Sequence, residues 1–165
     1  MSETPGEVRI RAARPSDADV IAEFNRKLAS ESEGRELDPN TLLRGVRMLL
    51  SDPTHGQYWI AEAAGEQGGD GDGGEPVGQC LVTTEWSDWM NGRYWWFQSV
   101  YVVPEWRGRK VFRALWDHVE SSARKEGDVA SLRLYVERDN ASARAIYEKL
   151  GMEETGYRVY EKWLT

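Results

Sequence analysis

The chain has 165 residues, 40% of them apolar and 11% aromatic, enough for one ordinary domain with a real core. Its 28 acidic against 21 basic residues leave a net charge of −7, which repels polyanions and excludes nonspecific nucleic-acid binding as the default. One cysteine cannot close an intramolecular disulfide, and no apolar run of about 18 residues occurs, so no membrane association is expected and a reducing cytoplasm is the default compartment.

In chain order, residues 8–12 alternate apolar and charged side chains as a short strand. Ser16, with Asp19 three positions on, reads as a cap for a helix carrying Val20, Ile21, Phe24 and Leu28. Pro39 opens a second helix through Leu42, Leu43, Val46, Leu49 and Leu50, which Asp52-Pro53 ends. Residues 58–63 read as a strand. The glycine-rich stretch 65–74 has no core-forming side chain and reads as a flexible hairpin loop; Asp70 and Asp72 alone lack the ligand count of a calcium loop.

Strands at 77–84 and 94–103 follow, with Cys80 placed as a small buried residue rather than a nucleophile. Phe112, Leu115, Trp116, Val119 and Ala123 then mark one face of a helix that packs on the sheet. Leu132, Leu134 and Val136 alternate as a further strand, Asn140 opens another helix, and residues 157–163 supply a last strand. The order describes a single mixed α/β (α+β) domain over residues 1–165, its sheet mostly antiparallel and covered by helices on both faces.

Two segments carry chemistry. After the apolar run ending at Pro104, the basic turn with Arg107, Gly108, Arg109, Lys110, Val111 and Phe112 feeds a helix whose first N–H groups lack intrahelical partners, a cradle for an anion. Further on, Tyr147 lies seven residues after Asn140, two helical turns along the same face. His55 and His118 are too scattered for a zinc site, and no metal is expected.

These segments resemble the acyl-coenzyme-A-binding signatures of the GNAT N-acetyltransferase superfamily. Asn140, Ala143, Tyr147, Gly151 and Met152 match the second signature. In the first, Arg107 matches, whereas Lys110 and Phe112 stand where the family has small residues. Glycine suits such a turn because it accepts positive φ. The resemblance spans nearly the whole chain and implies acetyl-CoA as co-substrate, an amine of a small molecule or protein as acceptor, and a direct attack. It further implies that the backbone of Val100, Tyr101 and Val102 pairs with the pantetheine arm while residues 107–112 hold the pyrophosphate.

On this reading Tyr147 is the proton donor to the leaving thiolate, since a phenol of pKa about 10 is matched to a thiol of about 8.5; a plain core aromatic is the alternative. Asn140 serves equally as a helix cap. Glu31, Glu33, Glu85 and Asp88 compete as the base, and Trp86, Trp89, Trp95 and Trp96 as a pocket for a cationic amine or as core, edge and homodimer contacts. A catalytically weak acyl-CoA-binding sensor and a carbohydrate-binding tryptophan face are the rival functions.

Overall fold

Alternation near the start does form a strand, β1 (Val8–Ala12), antiparallel to β2 (Gln57–Ala63). In this computed structural model, which describes residues 8–63 and 73–164, the sheet continues through β3 (Pro76–Ser87), β4 (Gly92–Val102) and β5 (Val129–Leu134). Spatial order follows chain order, and every neighbouring pair is antiparallel except β4 and β5. A parallel step needs a crossover, supplied by helix α3 (Val111–Glu126). Residues 65–72 of the expected glycine-rich loop lie outside the described residues.

Helices α1 (Ala18–Glu33) and α2 (Pro39–Ser51) cover one face, burying Ala18, Ile21 and Val46 against Tyr58 and Ile60. Ile21, Val46 and Ile60 each contribute about 1.5–3 kcal/mol by leaving water. The start of α1 is fixed not by Ser16 and Asp19 but by Asp17, whose carboxylate accepts the Arg14 backbone N–H at 2.6 Å and the Arg11 guanidinium at 2.7 and 2.9 Å. For α2 the sequence signal holds: Pro39 sits in the first turn, and Asp38 accepts the Thr41 N–H at 2.8 Å.

On the opposite face α3 buries Val111, Leu115, Trp116, Val119 and Ala123, with Trp116 stacked on Phe97 of β4 at 5.0 Å between ring centroids. Val111 rather than Phe112 takes the innermost position at the helix start. Phe112 is half-buried and tilted against Trp116 at 6.4 Å.

The described residues fall into two compact units, one ending at Leu134 and the other beginning at Tyr135. In the second, α4 (Ala141–Lys149) starts at Asn140, whose side chain accepts the Ala143 N–H at 3.1 Å. It ends at Gly151, with φ +84°, where the Met152 N–H returns to the Tyr147 carbonyl at 3.0 Å. The strand expected over 157–163 is not formed: Tyr157, Val159, Tyr160 and Trp163 are exposed. Alternation makes a strand only where a neighbour supplies a hydrogen-bonded ladder, and this unit contains none among its described residues. The strand foreseen at 132–136 runs instead over Val129–Leu134, leaving Tyr135 and Val136 outside it.

Candidate active site

Strand β4 changes character halfway along. Residues 93–97 pair with β3 on one edge and with β5 on the other. Between Phe97 and Ser99 the pairing with β3 slips by one, leaving Gln98 as an extra residue opposite Leu81 and Val82. That bulge has a visible consequence for the side chains. Phe97 stacks on Trp116 of α3, whereas Tyr101, four residues later, meets Phe24 of α1 at 5.3 Å on the other face. In a regular strand, residues four apart share a face; one surplus residue reverses them. Beyond the bulge, residues 98–102 stay paired with β3, but β5 has ended at Leu134 and no described strand pairs the second edge. Val100, Tyr101 and Val102 lie on this half-bare segment.

The turn after β4 has the backbone that the sequence asked of glycine. Gly108 has φ +78° and Lys110 φ +64°, so the lysine occupies the left-handed region despite its side chain. For a residue with a Cβ this conformation costs roughly 1–2 kcal/mol. The first helical bond of α3 runs from Ala114 N–H to Lys110 carbonyl at 2.9 Å, so the N–H groups immediately before it have no acceptor within the helix.

The basic side chains of this turn are mostly committed elsewhere. Arg107 donates from Nη2 to Glu31 Oε2 at 2.6 Å and from Nε to the Val102 carbonyl at 2.9 Å, with its guanidinium over the Tyr101 ring. Tyr101 donates its hydroxyl to Glu31 Oε1 at 3.1 Å. This knot ties the end of α1 to the turn. The Arg107 guanidinium holds the Glu31 carboxyl below its ordinary range, and both carboxylate oxygens are engaged, one by Arg107 and the other by Tyr101. Arg109 stacks over Trp106 and Arg113 pairs with Asp117 at 2.7 Å; Lys110 has no ion pair among the described residues.

The other acid candidates separate clearly. Glu33 pairs loosely with Arg35 at 3.6 Å. Asp88 sits in the turn joining β3 to β4 beside Trp89, which is 87% exposed. Glu85 lies on the sheet itself, accepting the Trp96 indole N–H at 2.7 Å, with Arg133 at 4.0 Å. Its face of the sheet also carries Thr83 and Gln98, joined by a 2.8 Å hydrogen bond, which brings the acid close to the bulge.

The tryptophans do not form one pocket. Trp95 is buried in the core, Trp96 lies on the opposite face with Glu85, and Trp86 and Trp89 are exposed. Cys80 is fully buried, and desolvation pushes its thiol up to about 12, which suits packing and not nucleophilic attack.

In the second unit, Asn140 fills its side-chain oxygen with the Ala143 N–H and the Ser142 hydroxyl, acting as a cap. Tyr147 is partly buried, and burial pushes its phenol above the ordinary value.

Sequence reading passed over three groups. Gln79 is fully buried beside α1 and donates to Asn25 at 2.7 Å, which in turn donates to the Tyr58 hydroxyl at 3.0 Å. Gln98 gives no local signal, since a bulge depends on the partner strand. Arg133 was legible: between Leu132 and Leu134, alternation places it on the face away from the core. Among the described residues no group of three or more His, Cys, Asp or Glu side chains could hold a metal ion, and no helix is long and apolar enough to cross a membrane.

Strand β4 thus loses its neighbour at a bulge and leads into a left-handed turn that opens a helix, within a mixed sheet covered by helices on both faces. The acetyltransferase (GNAT) family profile matches residues 21–152. The chain belongs to this family. A possible acetyltransferase from Clostridium difficile 630 superimposes with a TM-score of 0.86 at 40% identity, covering 96% of this chain and 98% of that one. A ribosomal-protein-alanine N-acetyltransferase from Brucella melitensis biovar Abortus 2308 shares the fold at 18% identity and TM-score 0.71, over 96% and 100% of the two chains. An aminoglycoside N-acetyltransferase solved in complex with CoA does so at 15% identity and TM-score 0.75, over the full length of both. No curated protein matches the chain significantly.

Proposed function

We propose that the protein is an acetyl-CoA-dependent N-acetyltransferase acting on a primary amine, and that both compact units belong to one acyltransferase domain, as the extent of the family match supports. The observation that carries this reading is the half-bare β4 segment after Gln98, followed by the turn in which Gly108 and Lys110 take positive φ. Its fit to the co-substrate is specific. The strand edge at residues 98–102, which no described strand pairs, offers main-chain groups to a pantetheine amide as an added strand would. The left-handed turn and the N–H groups opening α3 suit a pyrophosphate, with Lys110 as the available cation. Arg107, tied to Glu31, would contribute through its backbone rather than its charge.

Acetyl-CoA supplies an acetyl group already activated as a thioester. The protein's part is to position the amine and move two protons. An alkylammonium of pKa about 10 must first lose a proton. Glu85, held by the Trp96 indole on the face that carries Gln98, is the best-placed acceptor, directly or through one water. The freed nitrogen lone pair forms the C–N bond as the C–S bond breaks. Amide N–H groups near Val100 stabilise the oxygen that gains negative charge. The family resemblance assigns the proton donation to the departing sulfur to Tyr147, whose phenol burial pushes above its ordinary value. The balance is one amide, one free thiol and one proton released to solvent.

Thiol release measured with acetyl-CoA and a panel of primary amines tests this reading. Amine-dependent release above hydrolysis is expected. Saturable CoA binding in calorimetry with no amine-dependent release would instead assign the chain to acyl-CoA sensing.

A further inference from the structure

The face of the sheet away from α3 carries an arginine whose guanidinium donates no hydrogen bond to any described residue. Arg133 on β5 lies directly opposite Trp96 on β4. Its guanidinium stacks over the Tyr94 ring at 3.5 Å from the centroid and flanks Trp96 at 5.6 Å. Its ion pair to Glu85 is long, at 4.0 Å, and the same Glu85 oxygen already accepts the Trp96 indole N–H at 2.7 Å. Arg133 makes no hydrogen bond to any described residue, although a guanidinium carries five N–H donors. With its side chain 30% exposed, the fork is both held and reachable. The two rings fix its plane, so little side-chain entropy is left to lose when a ligand binds.

The other arginines near the sheet behave differently. Arg93 spends its donors on Asp128 and Glu126 at 2.6–2.9 Å, Arg11 on Asp17 and Glu62, and Arg107 on Glu31. Arg133 alone among these is pre-oriented and unspent. A planar fork in this condition matches a carboxylate, which it binds through two parallel N–H···O bonds.

Resting on the reading of this face as the acceptor site, we propose that Arg133 selects an acceptor amine that also bears a carboxylate, an amino acid in the broad sense. Glu85 and Arg133 stand 4.0 Å apart, an anion and a cation side by side, which is the complement of an ammonium and a carboxylate separated by few bonds. The zwitterion places its nitrogen at Glu85 and its carboxylate on Arg133. Tyr94 and Trp96 supply the apolar floor between them. A neutral amine lacking the carboxylate leaves the guanidinium desolvated and unpaired, so it is discriminated against.

The test compares amino acids with their methyl esters as acceptors. The wild type is expected to favour the acid by about 10- to 100-fold in kcat/KM, the range of a charge-assisted bond. Arg133→Met should erase that preference while CoA affinity by calorimetry stays within a few-fold. Arg133→Lys, which keeps the charge but not the fork, should retain part of it and guards against a folding defect in the methionine variant. Equal use of acid and ester by the wild type overturns the inference and leaves the acetyltransferase reading intact. If no amine turns over, that reading fails instead. Calorimetric titration of the N-acetyl amino acid against its methyl ester then decides: an acid preference lost in Arg133→Met upholds the inference, and equal or absent binding of the two overturns it.

Discussion

The two halves of β4 are built to opposite ends. Residues 93–97 are clamped: both edges are paired, Phe97 is stacked on Trp116, and Arg93 grips Asp128 and Glu126. Residues 98–102 are paired on one edge and pinned on their α1 face by Tyr101, Phe24 and Glu31. Backbone groups free of a ladder are costly unless something else satisfies them, so proteins seldom leave the middle of a sheet open without a use. The contrast assigns stability to the first half and, under the proposed function, ligand contact to the second.

Substitutions should therefore divide along that line. Phe97→Ala, in the clamped half, should cost about 3–5 kcal/mol in chemical denaturation, because it removes a stacked core aromatic. CoA affinity should be nearly unchanged under conditions where the variant is folded. Glu85→Gln should do the reverse: turnover falling about 100-fold or more with the denaturation midpoint hardly moved, as for loss of a proton acceptor. If turnover holds, Glu85 is not the base and the Trp96 bond is structural.

Tyr147→Phe should lower turnover by roughly 10- to 1000-fold with CoA affinity within a few-fold, since it removes a proton donor and little volume. Unchanged turnover would return that residue to plain packing. A smaller effect is expected at the turn. Lys110→Gly relieves a left-handed residue and should raise stability by up to about 1 kcal/mol, partly offset by the freer unfolded chain. The same variant should weaken CoA binding if the ammonium meets phosphate, and an affinity that does not move removes Lys110 from the cradle.

The smallest effect is one of pH. Desolvation, with a lesser contribution from Lys125, lowers the pKa of His118, which packs edge-on against Trp59 at 4.4 Å. The folded state thus binds this proton less readily than the unfolded chain. Stability from the neutral imidazole is complete above its ordinary value of 6.5 and declines as pH falls from there through the lowered folded value. His118→Gln should flatten that part of the stability profile between pH 7 and 5, and a slope left intact would place its origin elsewhere.

Much of this was written in local pattern. Periods of two and 3.6 located five strands and four helices, and Pro39 and Asp52-Pro53 marked the two ends of α2, because such signals act within a few residues. The second signature likewise needs only one helix. What escaped depends on distant partners. Gln98 becomes surplus only against Leu81 and Val82, and Glu31 is neutralised by an arginine 76 positions later. Alternation over 157–163 promised a strand but could not tell whether a ladder was on offer. At 110, residue identity misled in a different way: the turn is set by a backbone angle, which lysine adopts at an energetic cost.

The bulge also couples the strand's length to its meaning. Every side chain after Gln98 faces the way it does because one position is in excess, so removing that position would turn Tyr101 away from Phe24 and Glu31 toward the opposite helix. Gain or loss of a single codon in the segment before it would have the same effect, unless offset at 98. Across descendants of this sequence, insertions and deletions in β4 should thus survive only as compensated pairs, leaving a reading frame in space as strict as the one in the gene.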